Sequence, residues 1–386
     1  MAEAKLDESI DNQRGFLPTP DPLTSFNTDQ YDSMTSEYLQ RLDQVGDNLP
    51  DLIESGEVRP VLRSLEKPPA GLLDKLNDRE MIRLCQLSGF FASAYVNYGQ
   101  LIGEDDSVLP AGMAIPLYET SEEIGRKPIL SYDLLCLHNF QRKDPDGDLS
   151  VENLDLIQSF THHDDERWFV IIHVAIEAAA GPAITACSTA QQAVREDDPE
   201  LLLRKLHTIE ESLVEQTSIM QRMTEGNDTS VFANEYRPYY YGFDEIIFEG
   251  VNELEGTPQS LRGGSGAQSS ILPSIDATLG IKHDATKMIE KLDDMRSYMP
   301  PFHRNTITEL DTGPDIKEYV AKQGSDELRR AYNNCITNLI TFRKVHFRQI
   351  SQYIREETGD TTGTGGTNYA YYLQKMKEET EAARID

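Results

Sequence analysis

Apolar residues recur at intervals of three and four along most of this chain, the repeat of a helix with one buried face. The clearest series is Leu328, Tyr332, Cys335, Leu339 and Phe342, and His346 falls on its next step. A second long stretch, 72–102, contains no proline and is patterned as helix throughout. The same repeat predicts helices over 28–46, 51–65, 151–160, 166–193, 198–223, 229–241, 270–297, 314–322, 325–357 and 368–384. The strict alternation of a half-buried strand is almost absent. The expected fold class is all-α.

Proline and glycine divide this pattern. Residues 1–25 are polar and proline-punctuated and read as an extended arm. Residues 26–115 read as a small helical domain and 116–386 as a large one, with the proline-containing stretch 105–128 connecting them. Two glycine-rich interruptions, Leu261–Ser270 and Thr361–Thr367, break the large domain.

Composition narrows the function. The 386 residues carry 36 Lys and Arg against 66 Asp and Glu, a formal charge of -30. Such a surface repels phosphate backbones and anionic lipid, so nucleic acid and membranes are poor partners. No apolar run reaches the ~20 residues of a membrane span. The opening MAEAKLDESIDNQ lacks the basic start and apolar core of a secretion signal. Cys85, Cys136, Cys187 and Cys335 are scattered, with no CxxC and no zinc spacing. That argues against zinc knuckles, Cys-ligated clusters and covalent c-type haem, and fits a reducing compartment. The expectation is a cytoplasmic monomer.

Histidine carries the first chemical question. His162 and His163 lie in a polar loop, His207 lies in a charged helix, and His138, His283 and His303 have no evident company in sequence. His346 and His173 differ, because each continues an apolar face; Phe169, His173, Ile176 and Ala180 share one. The ordinary reading of each is a hydrogen-bonded core imidazole. The alternative is an axial haem or metal ligand at His346 and a distal hydrogen-bonding group at His173. No two histidines stand at i, i+4, so a helix-borne zinc or dinuclear site has no support. Arg237 sits between Phe232 and a run of tyrosines. On the surface it packs on those rings; buried, it is a natural clamp for a substrate carboxylate. The glycine-rich loops lack the Lys-Ser/Thr of a phosphate-binding loop and fit a close approach or a closing segment instead.

Seven blocks, in order and spacing, resemble the indoleamine 2,3-dioxygenase family of haem enzymes. They are Lys127–Tyr132, Arg142–Pro145, Phe169–Ile184, Leu261–Ser270, Tyr298–Asn305, Tyr332–Tyr353 and Gly363–Thr367. The resemblance covers about residue 105 to the C-terminus. It implies a small and a large helical domain, with haem b in the large one and ferrous iron for O2. It implies insertion of O2 across the indole C2–C3 bond of L-tryptophan or a related indoleamine, giving N-formylkynurenine in the kynurenine pathway of tryptophan catabolism. An electron donor keeps the iron reduced. By resemblance His346 is the proximal ligand, Arg343 a haem-propionate partner, and Asp276 an acidic support for either. Arg237 takes the substrate carboxylate. Tyr132, Phe169 and Phe232 box in the indole. Gly264, Ser265 and Gly266 cover the distal haem edge, and Thr364 and Gly365 belong to a segment that closes on the substrate.

The departures bear on substrate breadth. Val170 stands where the animal enzymes have a second phenylalanine, and His173 where they have serine. Leu135, Cys136 and Tyr240 also change the pocket lining. A distal histidine is a feature of the related tryptophan 2,3-dioxygenases. Three roles are open to His173: accepting the indole N–H, donating to bound O2, or setting pocket polarity. Two other functions also remain at this level, a non-catalytic O2-binding haem protein and a dioxygenase of another indole.

Overall fold

The computed structural model describes residues 10–104, 106–283, 286–359 and 369–386. Three short helices, α1 (Ser33–Asp47), α2 (Leu49–Ser55) and α3 (Val58–Arg63), lead into α4 (Asp78–Ile102). Asn77 and Glu80 start α4 by capping each other's backbone N–H at 3.1 Å, and Gly103 in left-handed conformation ends it. Its middle, from Leu84 to Asn97, is buried all round, so α4 is a central rod with no polar face. It packs on α5 (Ala111–Glu123) and on the two turns that later supply site residues.

The C-terminal part is built on α6 (Asp164–Arg195) and α7 (Pro199–Gln221), joined by a tight turn in which the Asp198 side chain caps α7. Three acidic residues in the first turn of α6 suit the positive end of the helix dipole. By length and composition α6 could cross a membrane, but most of its apolar stretch is buried against other helices. Two single turns, α8 (Met223–Gly226) and α9 (Thr229–Val231), follow. Helices α10 (Ile271–Thr278), α11 (Thr286–Arg296), α12 (Pro301–Asp311) and α13 (Ile316–Gln323) lead to α14 (Asp326–Ile350), which lies on α7 and receives α15 (Tyr369–Ala382). Ser325 caps α14, whose buried stripe includes Leu328, Tyr332, Cys335, Leu339 and Phe342, as the periodicity predicts.

The chain is all-α with small sheet elements. The strand β1 (Val108–Leu109) pairs in parallel with β4 (Phe243–Phe248), which pairs antiparallel with β5 (Gln259–Leu261). An antiparallel hairpin joins β2 (Phe140–Arg142) to β3 (Leu154–Leu156). This hairpin replaces the helix expected over 151–160. Asn153 decides the matter: its side chain donates to the carbonyls of Asp144 and Asp148 and accepts from the Asp144 N–H, closing an acidic turn. The helix expected over 270–297 is two helices, because Gly280 at φ 69° ends α10. Helix α12 was not anticipated; Pro301 occupies its first turn, where a missing N–H costs nothing.

Residues 10–25 carry no helix, but they do not run free. Phe16 and Leu17 are buried, and the arm crosses α6 at Gly181. A β-carbon at Gly181 would lie 2.2 Å from the Gln13 carbonyl oxygen, so only glycine permits that crossing. One hydrophobic cluster runs from Leu17 to Ala383 and takes in both ends of the described chain.

Candidate active site

One cavity gathers residues from α6, α14, three widened π-turns and the loop 263–269. The π-turns are Asp133–Leu137, Phe232–Tyr236 and Ser351–Glu356. Each inserts an extra residue into a helical turn and redirects side chains, a distortion frequent at functional sites. The first brings Leu135 and Cys136 to the cavity beside Tyr132, the second Phe232, and the third Tyr353 and Ile354.

The aromatic groups form a connected wall. The Phe169 ring centroid lies 5.3 Å from Phe232, 5.9 Å from Tyr240 and 4.5 Å from the His173 imidazole. Phe232 meets Tyr353 edge-on at 5.5 Å, and Tyr132 meets His173 edge-on at 6.0 Å. Asn227 backs this wall: its side-chain oxygen accepts from Tyr236 and its carbonyl from Tyr353. Arg237 is 1% exposed and lines the same cavity. Its Nη1 donates to the Tyr241 hydroxyl at 2.9 Å, and the guanidinium lies 5.2 Å from that ring. The surface reading of Arg237 is therefore excluded.

Both inward histidines reach the cavity. His173 Nδ1 is 2.7 Å from the Phe169 carbonyl oxygen, and burial lowers the imidazole's pKa. The His346 imidazole is held neutral still more firmly. Burial, with nearby His173 and Arg343, lowers its pKa to about 4. Among the described residues no hydrogen-bond partner reaches either His346 ring nitrogen. A satisfied core histidine has such a partner, so that reading does not suit His346.

Arg343, one turn before His346, is 1% exposed. Its Nη2 meets Asp276 Oδ2 at 2.5 Å and its Nη1 donates to the Met376 carbonyl and to Thr380. Its buried Nε has no partner among the described residues. Asp276 Oδ2 also lies 3.4 Å from His283 Nε2, and His283 Nδ1 lies 2.7 Å from Glu379. Burial alone would raise the Asp276 pKa, but Arg343 and His283 hold it below the ordinary range. Asp276 does not line the cavity and meets Arg343, not His346. An imidazole and a buried guanidinium N–H that find no partner among the described residues, with apolar Leu272, Met295, Ile350 and Leu373, make a donor set that fits haem.

The loop 263–269 covers one side, bringing Gly264, Ser265 and Gly266 to the cavity. A β-carbon at Gly263 would lie 2.0 Å from the Tyr240 carbonyl oxygen, which explains glycine there. Gln268 holds the loop by accepting from the Tyr132 N–H and donating to the Gly263 carbonyl. Thr364 and Gly365 lie outside the described residues. Sequence reasoning missed Gln268, Asn227 and Glu177. Glu177 alone left a signal, as the acidic residue in the apolar middle of α6. His283, which has no company in sequence, finds Asp276 and Glu379 in space; His162 meets Asp51 at the surface.

The family profile for indoleamine 2,3-dioxygenase matches residues 6–383. Indoleamine 2,3-dioxygenase 1 of Mus musculus is 36% identical over 406 residues, covering 98% of this chain and 95% of that protein. Indoleamine 2,3-dioxygenase of Saccharomyces cerevisiae is 27% identical, covering 97% and 92%. A protein named myoglobin from Haliotis madaka is 25% identical, covering 89% and 92%. With a helical fold and a cavity whose donor set fits haem, this chain belongs to the indoleamine 2,3-dioxygenase family of haem-dependent dioxygenases.

Proposed function

We propose that this chain inserts both atoms of O2 across the indole C2–C3 bond of L-tryptophan, giving N-formylkynurenine, with haem b kept ferrous by an electron donor. The observation that carries the reading is that His346, His173 and the buried Arg237 line a single cavity. Haem, when bound, supplies the oxygen chemistry; the protein supplies binding, orientation and electrostatics.

His346 would hold the iron through a neutral imidazole nitrogen, and Arg343 would serve as partner to a haem carboxylate. Arg237 receives the substrate carboxylate, and the Tyr241 hydroxyl and ring fix the guanidinium for it. Phe169, Phe232 and Tyr132 enclose the indole and exclude water. Gly264, Ser265 and Gly266 cover the adjoining edge. His173 Nε2 accepts the indole N–H, because Nδ1 is already committed to a carbonyl.

A purely O2-carrying role is the competing reading, and a relative bears the name myoglobin. An oxygen carrier has no use for a buried guanidinium at the ligand cavity. Haem-loaded protein incubated in air with L-tryptophan, ascorbate and methylene blue separates the two. The dioxygenase reading expects steady formation of N-formylkynurenine with matching O2 uptake. A stable oxygen complex that leaves L-tryptophan untouched overturns it.

A further inference from the structure

We infer that Glu177 is a positioning residue for the indole pocket, joining the Tyr132 side chain to the loop 263–269 through one shared carboxyl oxygen. The inference rests on the proposed function for what the pocket binds, and on geometry for the rest. Glu177 lies one turn beyond His173 on α6 and is 1% exposed. Its Oε1 accepts from the Tyr132 hydroxyl at 3.0 Å and from the Ser269 hydroxyl at 2.7 Å. Both partners line the cavity, whereas Glu177 stands behind them. The carboxyl group therefore joins two cavity walls that come from segments more than a hundred residues apart.

Among the described residues no cation lies beside this buried carboxyl group, which makes it a costly choice for a purely structural tie. The ionisable groups facing it are Tyr132 and Cys136 from the first π-turn region, with His173 one turn away on its own helix. None is a cation, since burial also keeps His173 neutral. Burial lifts the Glu177 carboxyl to about 7, against the two hydroxyl bonds that lower it. Both of its protonation states are accordingly populated near neutrality.

The two states present different pockets. The carboxylate draws both hydroxyl protons toward itself, so Tyr132 and Ser269 offer the cavity only lone pairs. The protonated acid, with its proton on the other oxygen, still accepts both bonds at Oε1 but more weakly, because a neutral carbonyl oxygen is a poorer acceptor than a carboxylate. Glu177 thus sets the position of the loop and, through its charge, how tightly Tyr132 and Ser269 are held against the pocket.

Three forms of the haem-loaded protein test this: wild type, Glu177→Gln and Glu177→Leu. Glutamine keeps an acceptor oxygen and loses the titration; leucine loses both. The readouts are kcat and KM for L-tryptophan against pH, the Kd of L-tryptophan for the ferric protein by absorbance, and hydrogen exchange over 263–269. Glu177→Leu is expected to raise KM and Kd about 5- to 30-fold, the worth of two hydrogen bonds, with kcat within about threefold and faster loop exchange. Glu177→Gln is expected to keep KM near the wild-type value and to lose a pH inflection near 7. If Glu177→Leu fails to fold, Glu177→Gln carries the test alone. An inflection kept in Glu177→Gln, or wild-type KM and loop exchange in Glu177→Leu, overturns the inference. Wild-type protein that never turns over L-tryptophan counts against the functional reading instead; loop exchange then decides whether Glu177 makes the tie.

Discussion

His173 Nδ1 lies 2.7 Å from the carbonyl oxygen of Phe169, one turn earlier on α6. A carbonyl only accepts, so Nδ1 carries the ring proton and Nε2 keeps its lone pair. Burial lowers the imidazole's pKa and keeps this neutral form. Of the three roles open in sequence, accepting the indole N–H suits this tautomer; donation to O2 does not.

The substrate 1-methyl-L-tryptophan tests that assignment, since it lacks the donor and carries a methyl group where the imidazole stands. It should be a poor substrate for the wild type. His173→Ser should lower kcat/KM for L-tryptophan and recover part of the activity on the methylated substrate. An unchanged ratio of the two kcat/KM values contradicts the contact. Faster autoxidation in His173→Ser would instead point to oxygen stabilisation.

Removing the His346 imidazole should abolish normal haem retention, because no other nitrogen of that kind lies on the apolar wall of α14. His162→Ala and His163→Ala should leave haem content unchanged, as these residues flank the exposed start of α6. The check is the haem-to-protein ratio after purification. Full occupancy with an unaltered ferrous spectrum in His346→Ala contradicts the assignment.

Arg237→Ala should lower kcat/KM for L-tryptophan about 10- to 150-fold, since a charged hydrogen bond is worth about 1.5–3 kcal/mol. Tryptamine, without the carboxylate, should be a poor substrate for the wild type and should lose little more in the variant. Equal use of tryptamine and L-tryptophan by the wild type rules out the clamp.

The buried network around Asp276 should show in stability against pH. Asp276 has a folded pKa below its ordinary value, so its contribution is present above the ordinary carboxylate range and lost as pH falls through the folded value. His283 behaves in the opposite sense. Burial opposes its charge, but Asp276 and Glu379 raise its pKa, so its contribution is full below about 6.5 and lost as pH rises through the raised value. Asp276→Ala leaves Arg343 without its carboxylate and should cost about 3–5 kcal/mol. Denaturant midpoints across the pH range give the measurement; a variant as stable as wild type at neutral pH contradicts it.

Glu177 makes a separate prediction on stability. Its folded pKa is raised, so the folded protein binds this proton more tightly than the unfolded chain does. That contribution weakens as pH rises from about 4.3 to about 7. Glu177→Gln should therefore gain on the wild type over that interval, and parallel pH curves contradict the shift.

The sequence made the scaffold legible where one periodicity ran long enough. The stripe from Leu328 to His346 and the face shared by Phe169 and His173 needed only the helical repeat, and both histidines reach the cavity. Short elements governed by side-chain hydrogen bonds were not legible. The acidic turn locked by Asn153 looks like the start of a helix until its cross-strand partner is seen. Contacts between distant segments were equally hidden: Glu177 with Ser269, and His283 with Glu379, have no local pattern. Arg237 shows the limit most clearly, since only its burial in the cavity wall excluded a surface cation.

The most direct test of the central claim is the fate of labelled oxygen. The haem-loaded, reduced protein is supplied with L-tryptophan and doubly labelled O2 in ordinary water, and the early product is weighed by mass spectrometry. Dioxygenation predicts N-formylkynurenine carrying both labelled atoms from one O2. Product with a single labelled atom, or an oxygen complex with no product, contradicts it.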